Sequence, residues 1–387
     1  MTTEGLTKAA RSSAKFGAPW CVLLFFQFLC ILTAFYRGFR APSLWSLNYY
    51  QVSWADGFLR RGLLGTLLLP LGCRRFDPHV IWVLQFAVLA AALILLLRLA
   101  RRGAASLALC VFFLSSAGTL FFNEIGYPDQ LLLLFAVACM GLLVRRQVRA
   151  CAWLMAAALL VHEEAAVMVL PLVAVQWLRL PDSERPDLLP LVLPSLLVLV
   201  ALVAFSTSVP FPVLLHYDQH SIACGHPLGR RDFLLYYAEP FGRKFRFYYH
   251  PIELWLVVAP LIATVGLWIM AGGAFPKASR VERGAAWLAC CLPLALGYVG
   301  TDKNRWVMMV LLQLLLLLGT SDVHKRHVPG RGAGPWMRLA LALPLLLVVF
   351  SMQMRLFDRF VARPLTLPGI RSFGAEFQAQ FSHLPVQ

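Results

Sequence analysis

Long apolar runs alternate with short polar or basic connectors along almost the whole chain. Residues 311–318, seven leucines and one glutamine, are apolar on every side and lack the period-2 alternation of a membrane strand. A helix needs about 20 such residues to cross a bilayer. Backbone in lipid must satisfy its own hydrogen bonds, which a helix does within itself. The pattern therefore predicts an all-α, polytopic transmembrane helical bundle.

The apolar runs predict about eleven membrane-spanning helices in one membrane domain, residues 1–387. The predicted spans are Pro19–Tyr36, His79–Leu99, Ala104–Phe122, Leu131–Val144, Cys151–Val161, Ala165–Leu178, Leu188–Ser208, Ile252–Ala271, Ala285–Gly300, Trp306–Gly319 and Leu339–Met354. The fifth and sixth are predicted as separate helices, because the three ionisable side chains between them would be costly at mid-bilayer. No small-residue cleavage site follows the first run, so it is expected to be retained.

Composition agrees with a membrane protein and argues against one partner class. The 387 residues are 59% hydrophobic and 14% charged, with a net charge of +16. A soluble domain carries more charge. Basic excess in a polytopic protein marks loops that meet anionic headgroups. No separate basic domain is present, so the lipid bilayer is the expected partner and nucleic acid is excluded.

Short basic loops predict the orientation of the chain. Under the positive-inside rule, the amino terminus and connectors such as residues 98–102 and 145–149 face the cytoplasm. The outer face then carries the polar clusters. They are the first external segment with an interfacial helix (residues 37–78), the turn 123–130, the run 162–164, the long external segment (residues 209–250) and the turn 301–306. We expect a bacterial inner (plasma) membrane.

The first external segment contains a carboxylate close to two guanidiniums. Asp56 could act as a general base or cap a helix. Arg60 and Arg61 could bind a phosphate, since Arg presents fixed donors to an anion, or only reach lipid headgroups. The segment is therefore a candidate for both proton abstraction and anion binding.

Two further acidic clusters are predicted on the same face. Glu124 and Asp129 flank a Gly-Tyr-Pro turn, where they could share a base role or offer oxygen ligands to a divalent cation. The same residues would also suit a solvated turn. The run His162, Glu163 and Glu164 lies between apolar runs, where ionisable groups are rare and usually functional. Its spacing is not that of a zinc protease.

Basic residues and two cysteines complete the external candidates. Arg230 and Arg231 lie among tyrosines and histidines in the long external segment, which suits a headgroup, a sugar or a lipid phosphate. Lys303 and Arg305 could complete an anion site built from several loops. The aqueous cysteines, Cys73 and Cys224, could form a bridge, although spacing alone cannot decide it.

This arrangement of external acids and guanidiniums resembles the GT-C superfamily of membrane glycosyltransferases. Asp56 lies in the first external segment, where that family keeps its catalytic carboxylate, and Glu124 and Asp129 lie in the second. A long external segment follows the seventh predicted span, as in the family. An adjacent acid pair in the first segment is absent. The resemblance implies sugar transfer from a polyprenyl-phosphate donor to a glycan, lipid or protein acceptor on the outer face.

The resemblance also implies a division of roles in an inverting transfer. Asp56 would deprotonate or orient the acceptor hydroxyl. The side chains that assist Asp56 in this step, or that bind a metal ion, would be Glu124, Asp129, His162 or Glu163. The departing lipid phosphate would be stabilised by the guanidinium groups of Arg60, Arg61 and Arg305.

Two other functions stay open from the sequence. A transporter or flippase for a lipid-linked saccharide would need polar groups near the midplane and usually repeats, and no repeat is found. A polymerase or ligase with a lipid pyrophosphate donor would use the arginines of the long external segment.

Overall fold

The computed structural model describes residues 18–56, 60–100, 103–205, 211–226, 254–270, 278–298, 302–323 and 361–382. Every regular element in these ranges is helical, so the predicted all-α class is confirmed. The α-helices are α1 (Ala18–Gly38), α2 (Leu44–Gln51), α3 (Leu63–Leu67), α4 (Pro78–Leu99), α5 (Gly103–Leu114), α6 (Ser116–Asn123), α7 (Pro128–Val144), α8 (Val148–Val161), α9 (Ala165–Met168), α10 (Leu170–Arg179), α11 (Leu188–Phe205), α12 (Phe211–Ala223), α13 (Ala259–Met270), α14 (Arg280–Cys291), α15 (Lys303–Val323) and α16 (Leu367–Ser382).

Shorter helical turns join or extend these helices. They are 3-10 turns at Trp54–Asp56, Leu69–Phe76, Asp182–Glu184 and Leu292–Tyr298, and a π-helical turn at Leu254–Val258. The predicted span Leu339–Met354 lies outside the described residues.

The length and composition of some described helices agree with part of the predicted membrane bundle. Within α1 and α4, residues Cys21–Gly38 and Pro78–Leu99 are long and apolar enough to cross a membrane. The bent pair α5 and α6 makes a third span if it is counted as one. Exposed apolar side chains on these and neighbouring helices, such as Phe25, Val83 and Leu189, suit a lipid environment. The described helices are thus compatible with a membrane protein, but they do not confirm eleven spans.

The predicted span Ala104–Phe122 is broken at Ser115, where α5 and α6 meet at 72°. The Ser115 hydroxyl donates to the Phe112 carbonyl at 2.6 Å and accepts the Ala117 amide at 3.2 Å. Serine side chains compete for backbone groups in this way and favour helix starts. The hydroxyl therefore ends one helix and caps the next.

The predicted span Ala165–Leu178 is also divided, between α9 and α10. Pro171 lies in the first turn of α10 and has no amide to donate to Val167 four residues earlier. The side chain of Gln313 in α15 donates to that carbonyl instead, at 2.7 Å. A single polar residue in the leucine-rich helix thus satisfies a backbone group that the proline leaves open.

The centre of the described bundle is α15. Every residue from Arg305 to Gly319 is buried. The helix packs against α5, α6, α14 and the turn Leu292–Tyr298. Because α15 starts at Lys303, its first turn and the preceding Asp302 lie at the ends of surrounding helices.

The first external segment folds onto neighbouring parts of the chain. Cys73 and Cys224 form a disulfide with a Cα–Cα distance of 5.2 Å, which confirms the bridge left open by the sequence. It joins this segment to the end of α12, where Cys224 follows the helix, in the described part (residues 211–226) of the long segment that is predicted to be external. The predicted interfacial stretch Leu63–Leu71 consists of the short α3 and the start of a 3-10 turn.

The C-terminal helix α16 holds the other end of this segment. Arg363 donates to the carbonyl oxygens of Tyr36 at 3.3 Å and Phe39 at 2.6 Å. Phe377 of α16 stacks on Phe39, with ring centroids 5.1 Å apart. The junction between α1 and the first external segment is therefore fixed by α16 together with Arg363, which precedes α16 and pairs with its Glu376 at 2.8 Å.

Candidate active site

Arg305 is the centre of a buried charge cluster, with 3% of its surface exposed. Its Nε and Nη2 donate to the two carboxylate oxygens of Asp129 at 3.0 and 2.8 Å. Nη2 also donates to Glu164 at 2.9 Å, and Nη1 donates to Asp302 at 3.2 Å. Glu124 Oε2 lies 3.1 Å from Nε at ion-pair distance, without hydrogen-bond geometry. Four carboxyl groups thus surround one guanidinium.

Local sequence explains why these groups meet. Pro128 opens α7, which puts Asp129 in its first turn. Gly126 adopts φ +88°, which favours glycine, and an added Cβ would lie 2.4 Å from the Gln85 amide. The resulting turn places Tyr127 beneath Arg305, whose Cζ lies 4.9 Å from the ring centroid. The turn predicted as solvated or functional is therefore a buried wall of the cluster.

Burial changes the protonation of this cluster. It raises the pKa of Glu124 well above its usual range, although Arg305 opposes the change. Burial likewise raises the pKa of Glu164 to about 8, again against the pull of Arg305. Several buried carboxyl groups that share one guanidinium disfavour each other's charge. Glu164 can therefore exchange a proton near neutral pH.

A second pair links the first external segment to the run 162–164. Arg61 Nε donates to Glu163 Oε2 at 2.8 Å and to Oε1 at 3.1 Å, and Nη2 also contacts Oε1. Nη1 of Arg61 donates to the Tyr49 hydroxyl at 3.4 Å. Burial would raise the pKa of Glu163, but Arg61 holds it well below the usual range. Arg61 itself adopts φ +64°, an uncommon backbone conformation for a residue other than glycine.

His162 lies between these two pairs and is 1% exposed. Its Nδ1 accepts the backbone amide of Glu164 at 3.2 Å. The Tyr49 ring lies beside it, with centroids 5.6 Å apart. Burial, followed by the nearby Arg61 charge, lowers the pKa of His162 well below its usual range. The imidazole is therefore neutral at physiological pH.

The three consecutive residues His162, Glu163 and Glu164 connect the two arginines. Glu163 pairs with Arg61, and the next residue, Glu164, pairs with Arg305. We call the whole arrangement the acid–arginine cluster. Its members are Arg61, Glu124, Asp129, His162, Glu163, Glu164, Asp302 and Arg305.

Other predicted site residues lie at the edge of this cluster or beyond the described side chains. The backbone of Asp56 ends the turn Trp54–Asp56, and its side chain lies outside the described part of the structure. Arg60 is buried next to Arg61, and Lys303 is half-buried at the start of α15. Arg230 and Arg231 lie outside the described residues.

In the structure, carboxyl groups occupy the positions around Arg305 where the predicted phosphate would bind. Its guanidinium already contacts carboxyl groups on all three nitrogens, so a phosphate would have to displace one of them. The sequence pattern does not distinguish Glu164 within its run, and it gives no indication of Tyr49. The signal that could identify Glu164 is its place beside Glu163, because successive residues in a tight turn point to different neighbours.

Among the described residues, one group brings three potential metal ligands within 4.8 Å of each other. It consists of Cys73, His220 and Cys224, and its two cysteines are joined in the disulfide. The acids predicted as oxygen ligands for a divalent cation, Glu124 and Asp129, contact Arg305 instead.

Comparisons with models of protein families, with curated proteins and with solved structures each find no match to this chain.

Proposed function

We propose that this chain is a membrane glycosyltransferase that moves a sugar from a polyprenyl-phosphate donor to a glycan, lipid or protein acceptor. The observation that carries the proposal is the acid–arginine cluster. Its members come from stretches as far apart as Arg61, Asp129, Glu163 and Arg305, yet they meet at the ends of apolar helices. Buried charge of this kind is costly, and it clusters at functional sites more often than elsewhere.

The chemistry of the proposed transfer divides between two kinds of side chain. A carboxylate takes the proton of the acceptor hydroxyl, and Asp56 has this role by resemblance. Glu164 adds a second group that exchanges protons near neutral pH. Arg60 stabilises the charge that grows on the departing phosphate, and Arg61 joins it by exchanging a hydrogen bond to Glu163 or Tyr49 for one to the phosphate. The configuration at the anomeric carbon of the sugar is then inverted, because a single displacement occurs there.

Arg305 has a positioning role in this proposal. It contacts Asp129, Glu164 and Asp302 at once, and its charge lets these carboxyl groups lie close together in a buried place. Without that charge, carboxyl groups this close together in a buried place would repel each other and be pushed apart.

The disulfide supports the proposed topology. Disulfides persist in oxidising compartments and are rare in the cytosol. The Cys73–Cys224 bridge joins the two long segments that the basic-loop pattern predicts to be external. We therefore propose a multi-pass protein of the bacterial inner membrane, of about eleven spans, with a cytoplasmic amino terminus and an active face toward the periplasm.

The test is transfer by the purified full chain in liposomes, from a panel of radiolabelled polyprenyl-phosphate sugars to candidate acceptors. Asp56→Asn should lower transfer at least about 10²-fold, the usual contribution of a proton-transferring group. Glu163→Gln should also lower transfer, because it removes the carboxylate that orients Arg61. The matched control is Glu184→Gln, whose carboxylate pairs with Arg146 at 2.9 Å on a predicted cytoplasmic loop. It should transfer at the normal rate.

Three outcomes would contradict the proposal. Normal transfer by Asp56→Asn would remove the proposed base. Passage of the intact lipid-linked sugar across the bilayer without product would indicate a flippase. Dependence on the arginines of the long external segment alone would indicate a polymerase or ligase with a pyrophosphate donor.

A further inference from the structure

The distal ring nitrogen of His162, Nε2, is buried and has no hydrogen-bond partner among the described residues. Buried polar groups in folded proteins are nearly always paired, so each exception calls for an explanation. One explanation is a ligand that supplies the missing partner.

The other ring nitrogen decides what Nε2 can do. Nδ1 accepts the Glu164 amide at 3.2 Å, so it carries no proton in the neutral ring. The single ring proton is then on Nε2. His162 therefore presents one N–H donor whose direction is fixed by the hydrogen bond on the other side of the ring.

The surroundings indicate the chemistry of the acceptor. The nearby carboxylates of Glu163 and Glu164 lie 3.8 and 3.5 Å from Nδ1, on the occupied side of the ring. The Tyr49 ring contacts both His162 and the Arg61 guanidinium, which lies 5.4 Å from its centroid. The charges that act on His162 are those of three arginines, Arg61, Arg305 and Arg60, against one carboxylate, Glu163. This excess of positive charge favours an anionic oxygen as the acceptor of Nε2–H.

We infer that Nε2–H of His162 donates a hydrogen bond to a phosphate oxygen of the bound substrate. This rests on the proposed function for the identity of that substrate, a lipid-linked phosphate. The arrangement assigns His162 neither a base nor a metal-binding role. Nε2 already holds the proton, and Nδ1 is occupied by the Glu164 amide.

Two substitutions of His162 test the roles of its two ring nitrogens separately. In His162→Asn, the amide oxygen can replace Nδ1 as acceptor for the Glu164 amide, but the distal donor is lost. In His162→Gln, the amide nitrogen reaches the position of Nε2, so a distal donor is kept. The control is His79→Asn, an exposed histidine near the predicted outer face.

The first experiment measures binding of dodecyl phosphate to the full chain in nanodiscs. His162→Asn should weaken binding about 10-fold or more, since a hydrogen bond to a charged group is lost. His162→Gln should stay within about threefold of the unchanged protein, and His79→Asn should bind normally. Unaltered binding by a folded His162→Asn would overturn the inference.

The second experiment does not depend on a folded variant. Nitrogen NMR of ¹⁵N-histidine-labelled protein should show His162 as the neutral Nε2–H form at pH 7, and dodecyl phosphate should shift its resonance. An imidazolium, an Nδ1–H form or an unmoved resonance would each overturn the inference, whether or not His162→Asn folds.

Further measurements identify the source of the phosphate and distinguish the donor role of His162 from the proposed glycosyltransferase function. Inorganic phosphate that shows the same dependence on His162 would assign the site to a free anion. Dependence seen with dodecyl phosphate alone would assign it to a lipid headgroup. His162-dependent binding without any sugar transfer would leave the donor role standing and reject the glycosyltransferase. Transfer with normal phosphate binding by His162→Asn would reject the donor role alone.

Discussion

Arg305 binds Asp129 through two parallel hydrogen bonds of 3.0 and 2.8 Å, although 176 residues separate them in the chain. The fork of a guanidinium matches the two oxygens of a carboxylate, which fixes distance and orientation together. The pair joins the first turn of α15 to the first turn of α7. It therefore sets how the two helices present the acid–arginine cluster.

Removing this guanidinium should destabilise the protein strongly. Arg305→Gln leaves Asp129 and its neighbouring carboxyl groups buried without a counter-charge, and we expect a loss of about 3–5 kcal/mol in the free energy of unfolding. Denaturant unfolding of the purified protein in detergent, followed by tryptophan fluorescence, measures this. Arg149→Gln changes an exposed arginine and should stay within about 0.5 kcal/mol. Equal effects of the two substitutions would contradict a central role for Arg305.

The raised pKa of Glu164 predicts how stability changes with pH. The folded protein keeps the Glu164 proton up to about pH 8, whereas the usual pKa is 4.5. The folded state therefore binds more protons than the unfolded state between these values, and stability falls as pH rises through them. The lowered pKa of His162 acts oppositely, but only below pH 6.5. Glu124 acts in the same direction as Glu164.

The informative window is therefore pH 6.5 to 8. Over it, the free energy of unfolding should fall by up to about 1.4 kcal/mol per pH unit for each retained proton. Glu164→Gln should reduce this slope, because its side chain carries no titrating proton. Glu184→Gln alters a solvent-exposed acid and should keep the slope. If Glu164→Gln keeps the wild-type change of unfolding free energy with pH, then a group other than Glu164 holds the retained proton.

The sequence identified most of the ionisable residues that meet in the acid–arginine cluster, but not their partners. Three ionisable residues between apolar runs marked 162–164 as unusual, because such groups are costly near a membrane. Nothing local indicates that Glu163 faces Arg61 while Glu164 faces Arg305. Which acid meets which arginine depends on how helices distant in sequence pack against each other.

The helix boundaries show a similar limit. The span predicted as His79–Leu99 is found at Pro78–Leu99, because its apolar run is long and is interrupted before Arg98 only by Gln85. The break at Ser115 does not follow from the sequence pattern, since hydropathy records the apolar length of a run but not the hydrogen bonds of one hydroxyl. Gln313 lies in a run that the pattern predicts as apolar, although its side-chain amide donates to the Val167 carbonyl.

The disulfide should matter both for stability and as a marker of topology. Replacing Cys73 and Cys224 together by serine removes a link across 151 residues, and we expect a loss of about 2–5 kcal/mol. In intact cells, a bulky maleimide that cannot cross the inner membrane should label the two cysteines only after reduction. Labelling without a reductant would contradict the bridge, and protection after reduction would contradict the external placement.

The short helix α3 should be sensitive to one added methyl group. A Cβ on Gly65 would lie 2.0 Å from the Val52 carbonyl oxygen and 2.8 Å from that of Gln51. Both are backbone atoms, so Gly65→Ala must push α3 away from the preceding helix and disturb Arg61 just before it. We expect a loss of about 1–3 kcal/mol in unfolding free energy, typical of overpacking. The proposed sugar transfer, if measured in the liposome assay, should fall as well.

A glycine in open surroundings provides the control for this substitution. An added Cβ on Gly141 in α7 meets no atom within 4 Å, so Gly141→Ala should be neutral or stabilise by up to about 1 kcal/mol through helix propensity. If Gly65→Ala proves as harmless as Gly141→Ala, then α3 can move without cost. In that case the close contact between α3 and residues 51–52 does not hold Arg61 against Glu163, and another part of the first external segment must do so.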